Sequence, residues 1–74
     1  MTPKQIGHIV RQTRRAQGLR QDQLAGAAGV GLRFIVELEA GKSTTQLGKV
    51  LTVLSALGCE LQIKSPAAPT DEGR

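Results

Sequence analysis

The chain has 74 residues, with ten Lys and Arg against six Asp and Glu for a net charge of +4, enough for one small domain that buries only about 60% of its unfolded surface. A single cysteine precludes an internal disulfide, no apolar run approaches the roughly 18 residues that cross a bilayer, and the opening MTPKQIGHIV lacks the apolar stretch of a signal peptide. Composition thus excludes a disulfide-stapled scaffold and a membrane-spanning protein, and predicts a soluble cytoplasmic one that gains stability by oligomerising.

The first element is a helix. Thr2 supplies a capping hydroxyl and Pro3 suits the first helical position. Ile6, Ile9, Val10, Thr13 and Ala16 recur at three-to-four spacing as its inward stripe, and Gly18 ends it. Leu19 is expected to tuck back into the core, and His8, off the stripe, reads as a surface histidine. Lys4, Arg11, Arg14, Arg15 and Arg20 leave the first 21 residues without an acidic group. Such a run is either a solvated helix face or, beside a DNA-binding motif, a phosphate-facing surface.

A second helical pattern starts at Gln21, with Leu24, Ala25 and Ala28 facing inward. Gly29 follows, where a residue lacking Cβ takes the left-handed conformation that stops a helix and turns the chain. The third pattern runs over 32–40, with Ile35 and Leu38 inward and Gly41 as its stop. Two short helices about a tight glycine turn, with the small Ala25 at their crossing, form a helix-turn-helix, which presents its second helix to the major groove of DNA. Leu32, Arg33, Val36 and Glu37 remain for the outer side of that helix. Phe34, the lone aromatic, falls between the two sides and is expected to pack against the first or fourth helix.

Ser43 and Gln46 fit a capping box for a fourth helix, with Thr44 as a rival cap. This helix is expected over 45–57, with Leu47, Val50, Leu51, Leu54 and Leu57 on one apolar face, Val53 off it, and Gly48 at a close helix approach. Gly58 stops it. Residues 59–64, CELQIK, then alternate apolar and polar as a half-buried strand does. A lone strand is an unstable edge. Pairing with its copy across a twofold axis would bury Cys59, Leu61 and Ile63, with Val53 and Leu57 continuing the dimer contact. The expected architecture is therefore all-α, with the strand pairing across a homodimer. Residues 1–64 form the DNA-binding and dimerisation domain, and 65–74 a flexible tail.

Chemistry other than binding finds little footing. One His, one Cys and scattered carboxylates offer no paired acid and base, metal cluster or activated nucleophile. The glycines at 29 and 31 precede no lysine-serine pair that would cradle a phosphate. No enzyme, cofactor or metal is expected.

Arg14, Gly18-Leu19, Gln21, Leu24-Ala25, Ala28-Gly29-Val30, Ile35, Leu38-Glu39 and Gly41-Lys42 fix about a dozen positions at set spacing. Over 9–58 this pattern resembles the phage-repressor-like (Xre) helix-turn-helix family, and 29–63 resembles its HipB-like antitoxin branch. The resemblance implies a repressor-like domain of four or five helices. It also implies a homodimer on a palindromic double-stranded operator, repression of the protein's own operon, and a HipA-like serine/threonine kinase toxin as partner. It places Gly31, Leu32 and Arg33 at base edges, with Glu37 a turn later. A guanidinium at 33 bonds guanine O6 and N7 together, worth about 1–3 kcal/mol of discrimination. Leu32 suits a thymine methyl, and Glu37 either accepts from cytosine N4, repels wrong approaches, or is a solvated charge. Arg14, Arg20, Gln21, Lys42 and Thr44 are the phosphate candidates, and Arg14 with Glu39 an internal ion pair. Arg20 and Gly31 depart from the family's usual Ser or Thr, each losing a hydroxyl. The competing readings are a stand-alone regulator and a protein-interaction module with weak DNA binding.

Overall fold

The computed structural model describes residues 1–66. Its four helices are α1 (Pro3–Ala16), α2 (Gln21–Ala28), α3 (Leu32–Glu39) and α4 (Leu47–Ala56). Thr2 caps α1 reciprocally: its hydroxyl accepts the Gln5 N–H at 3.1 Å, and Gln5 Oε1 accepts the Thr2 N–H at 2.7 Å. All four helices stop at a glycine of positive φ: Gly18, Gly29, Gly41 and Gly58. At each stop the next residue returns its N–H to a carbonyl five positions back. The pairs are Leu19 to Arg14 (3.1 Å), Val30 to Ala25 (3.0 Å), Lys42 to Glu37 (3.1 Å) and Cys59 to Leu54 (2.8 Å). This closure satisfies orphan carbonyls and aims the following side chain at the core. Leu19, Val30 and Cys59 pack there, as the sequence led one to expect of Leu19.

Val10, Leu24, Ile35 and Val53, one from each helix, are wholly buried at the centre. Ala25, Ala28, Leu38, Val50, Leu54 and Leu57 complete the core. α3 packs on both α1 and α2, while α4 packs on α2. Gly7 lets α1 approach the end of α3 closely: a Cβ there would run into the Leu38 carbonyl oxygen and lie 2.9 Å from that of Glu39.

Several expectations are corrected. α4 starts at Leu47 behind Gln46, which makes no side-chain cap. Ser43 and Thr44 lie in a turn before it, because a local capping preference of about 1 kcal/mol yields to tertiary packing. The buried face of α4 is Val50, Val53, Leu54 and Leu57, whereas Leu47 and Leu51 are 64% and 42% exposed. Val53 and Leu57, assigned above to a dimer contact, are 0% and 4% exposed within one protomer. Their surface is already spent on that core. Gly48 faces open space, not a neighbouring helix. Ile9 is 41% exposed, and Ala16 is exposed as well.

Residues 59–64 form no strand in the single chain, and none occurs among the described residues. A strand there has no ladder to join without a second copy. Of the 65–74 tail assigned from the sequence, 67–74 lie outside the described residues.

Gly7→Ala should lower unfolding free energy by about 1–3 kcal/mol, as overpacking does when backbone must shift. Gly26→Ala, on α2 with nothing within 4 Å of the new methyl, should raise it by about 0.5–1 kcal/mol. Urea denaturation of the two variants checks both signs.

Candidate nucleic-acid interface

α3 is held by one side and one end. Ile35 and Leu38 bury its inner side. At its C-terminal end Glu39 is fixed by three donors. Arg14 Nε and Nη2 reach its carboxylate at 2.7 and 3.0 Å, and Gln21 Nε2 reaches Oε1 at 3.1 Å. Arg14 Nη1 also donates to the Leu19 carbonyl at 2.7 Å. The forked guanidinium thus joins α1, the α1–α2 link and α3, and Gln21 adds the start of α2. The Glu39 hydrogen bond holds the Arg14 pKa above its ordinary value, outweighing the opposing effect of burial. A raised cation pKa contributes stability that is lost as pH rises through the arginine range, provided the Glu39 carboxylate stays ionised.

This geometry contains the Arg14–Glu39 pair and commits most of the Arg14 guanidinium to it, although Arg14 also lines the cleft between α1 and α2. The Arg14 and Glu39 side chains are only 11% and 4% exposed. With three N–H groups committed inward, Arg14 keeps little exposed head for DNA.

The outer side of α3 is open. Gly31 caps the helix with extended backbone and no side-chain bond. Leu32 is 49% exposed, and the Arg33 side chain 91%. Val36 follows at 44%. Glu37 lies one turn beyond Arg33, with its carboxylate 3.6 Å from Arg33 Nε and 3.2 Å from Lys42 Nζ. Phe34 turns away from this surface and lies under Lys49 of α4, whose Nζ is 5.8 Å from the ring centroid. That matches the expected packing against the fourth helix.

Beside α3 an open cleft of about 620 Å³ runs between the end of α1 and the start of α2. Arg11, Arg15, Arg20 and Gln21 line it, with Val36 on the α3 side. Arg20 caps α2 only through its backbone N–H, which donates to Gln23 Oε1 at 2.8 Å. Its guanidinium sits 3.0 Å from Asp22, and that hydrogen bond holds the Asp22 carboxyl below the usual carboxylate range. Both side chains are largely in water, so the pair is screened and weak. Arg11 and Arg15 have no ion pair among the described residues. Neither was singled out as a phosphate contact from the sequence, although the unbroken basic run to residue 21 was the available signal. Thr44 is exposed in the turn after α3, and Lys42 stands near it.

A family model described as helix-turn-helix matches residues 10–64. An uncharacterized HTH-type transcriptional regulator, y4mF, of Sinorhizobium fredii (strain NBRC 101917 / NGR234) is 65% identical over 65 residues, covering 88% of this chain and 86% of the relative. Two solved structures superpose with TM-scores of 0.80 at 21% identity, each covering 90% of this chain and 94% of its own. One is described as MDT Protein and the other as a HipA-HipB-O2-O3 complex. At that identity the likeness is one of fold. The described helices are those of a repressor-like helix-turn-helix domain.

Arg14→Ala should cost about 3–5 kcal/mol, because it strands the Glu39 carboxylate in the interior. Arg14→Lys should restore little of that loss, since an ammonium cannot span Glu39 and Leu19 with a fork. Thermal and urea melts of both variants test this, and unchanged melting of Arg14→Ala would remove the pair as a constraint.

Proposed function

The chain belongs to the helix-turn-helix family of transcriptional regulators, and from that premise we propose that it is a sequence-specific repressor acting as a homodimer. The observation that carries this reading is the open N-terminal half of α3, where Arg33 projects into solvent. Cations line the adjacent α1–α2 cleft, and Lys42 lies 3.2 Å from Glu37 after the end of α3. Arg33 reads a guanine edge, Leu32 meets a thymine methyl, and Gly31 lets the backbone approach closely. Arg11, Arg15, Arg20, Gln21, Lys42 and Thr44 hold phosphates and set register.

The second copy seats on apolar surface left open by one protomer. A groove lined by Met1, Ile6, Ile9, Leu54, Cys59 and Leu61 runs along α1 and α4. Ile63, 89% exposed, stands beyond it. Residues 59–64 pair with their copy across the twofold axis, covering Cys59, Leu61 and Ile63. A symmetric dimer on a palindromic site then places one α3 in each half-site.

The finer reading is an antitoxin that represses its own operon and binds a HipA-like serine/threonine kinase toxin. It is supported by the sequence resemblance over 29–63 and by likeness of fold to a structure described as containing HipA and HipB. A second reading, a protein-interaction module with weak DNA binding, draws on Leu32 and Val36, apolar and half exposed on the outer side of α3.

Titrating the protein with its own upstream DNA at increasing salt separates the two. Repressor binding should weaken with a log–log slope of about −0.9 per phosphate neutralised, and absence of binding at low salt sinks the repressor reading. Arg33→Ala should lose about 1–3 kcal/mol at particular bases only, while Lys42→Ala weakens all duplexes alike. The melting temperature should rise with protein concentration. Leu61→Asp should abolish that dependence and yield a monomer by sedimentation.

A further inference from the structure

Arg33 and Lys42, the two cations that the proposed repressor turns to DNA from α3 and its stop, share one carboxylate. Glu37 lies 3.6 Å from Arg33 Nε and 3.2 Å from Lys42 Nζ. The arrangement is built into the backbone. Arg33 and Glu37 are one turn apart on α3, and the closure after α3 ties the Lys42 N–H to the Glu37 carbonyl at 3.1 Å. Glu37 is the carboxylate on the open side of α3, because Glu39 is turned inward to Arg14 and Gln21.

We propose that Glu37 is a specificity-determining residue that restrains Arg33 and Lys42 in the free protein and so disfavours binding to random DNA. The inference rests on the repressor reading above. A non-specific complex is held almost wholly through phosphates, which replace one anionic partner of these cations with another. It also leaves Glu37 facing the polyanion without its counter-charges. A cognate site offers Arg33 the paired acceptors of a guanine edge, a contact with both geometry and charge in its favour. Glu37 therefore weakens non-specific binding more than specific binding, which widens the ratio that governs operator occupancy.

The test is Glu37→Gln, assayed on the protein's upstream fragment and on random duplex of equal length across a salt series. Melting curves confirm that the variant folds. The expected result is a rise of about tenfold in random-duplex affinity, with the log–log salt slope steeper by about one. Upstream-fragment affinity should change less, so the specificity ratio falls. The double variant Glu37→Gln/Lys42→Gln should return the random-duplex slope to about the wild-type value. If wild type binds the upstream fragment but Glu37→Gln leaves random affinity unchanged, the restraint is overturned. If the variant loses only cognate binding, Glu37 is a base contact and the restraint is likewise overturned. If neither protein binds any duplex at low salt, the repressor reading falls and this inference with it.

Discussion

Glu39 stands where a carboxylate is least welcome, at the C-terminal end of a helix whose dipole already places negative charge there, and it is buried. Only the Arg14 fork and the Gln21 amide make that position tolerable. A buried ion pair of this kind adds little net stability over an apolar replacement of the same shape. Its contribution here is geometric. One guanidinium addresses α3 and the Leu19 carbonyl together, so the angle between the basic first helix and the outward helix is set by hydrogen-bond directions as well as by packing. Around that junction, Gly7 brings the α1 backbone against the last carbonyls of α3.

Much of this was legible in the sequence because the signals are local. Thr2-Pro3-Lys4-Gln5 specifies its own cap, and each glycine stop lies within two residues of its helix's end. Leu24, Ile35 and Leu38 fall inward from spacing alone. The α4 register was less legible for a physical reason. Leu47, Val50, Leu51, Val53, Leu54 and Leu57 spread over an arc of roughly 160° at 3.6 residues per turn, so more than one apolar face fits. Which face turns inward is decided by α2 across the interface. Gly7 was missed because its role depends on a carbonyl some thirty residues away, which no spacing rule records. At the candidate site, Arg33 and Leu32 were placed on the open side by exclusion from the core, and Gly31 by the family resemblance. Arg11 and Arg15 entered only once the α1–α2 cleft had a shape.

The apolar residues that α4 and the chain's later part leave uncovered change the economy of so small a domain. Among the described residues, ten apolar side chains make up the buried core, a modest number for so small a domain. Leu51, Ile9, Leu61 and Ile63 remain in solvent. A second copy covering Ile9, Leu61 and Ile63 would extend the core across the twofold axis and supply the ladder that 59–64 lacks alone. In that reading stability and half-site spacing share one cause, since the contact that completes the fold also fixes the separation of the two outward helices.

The outward helix is clamped at its far end and unencumbered at its near one. Gly31, Leu32 and Arg33 lie outside the core, with Arg33 meeting Glu37, while Ile35, Leu38 and Glu39 bear the packing. Exchange of side chains at 31–33 therefore meets almost no penalty in folding, whatever it does to recognition. Under the proposed repressor reading, a lineage carrying this scaffold can drift to new operators through a few substitutions at the tip, leaving the clamp untouched.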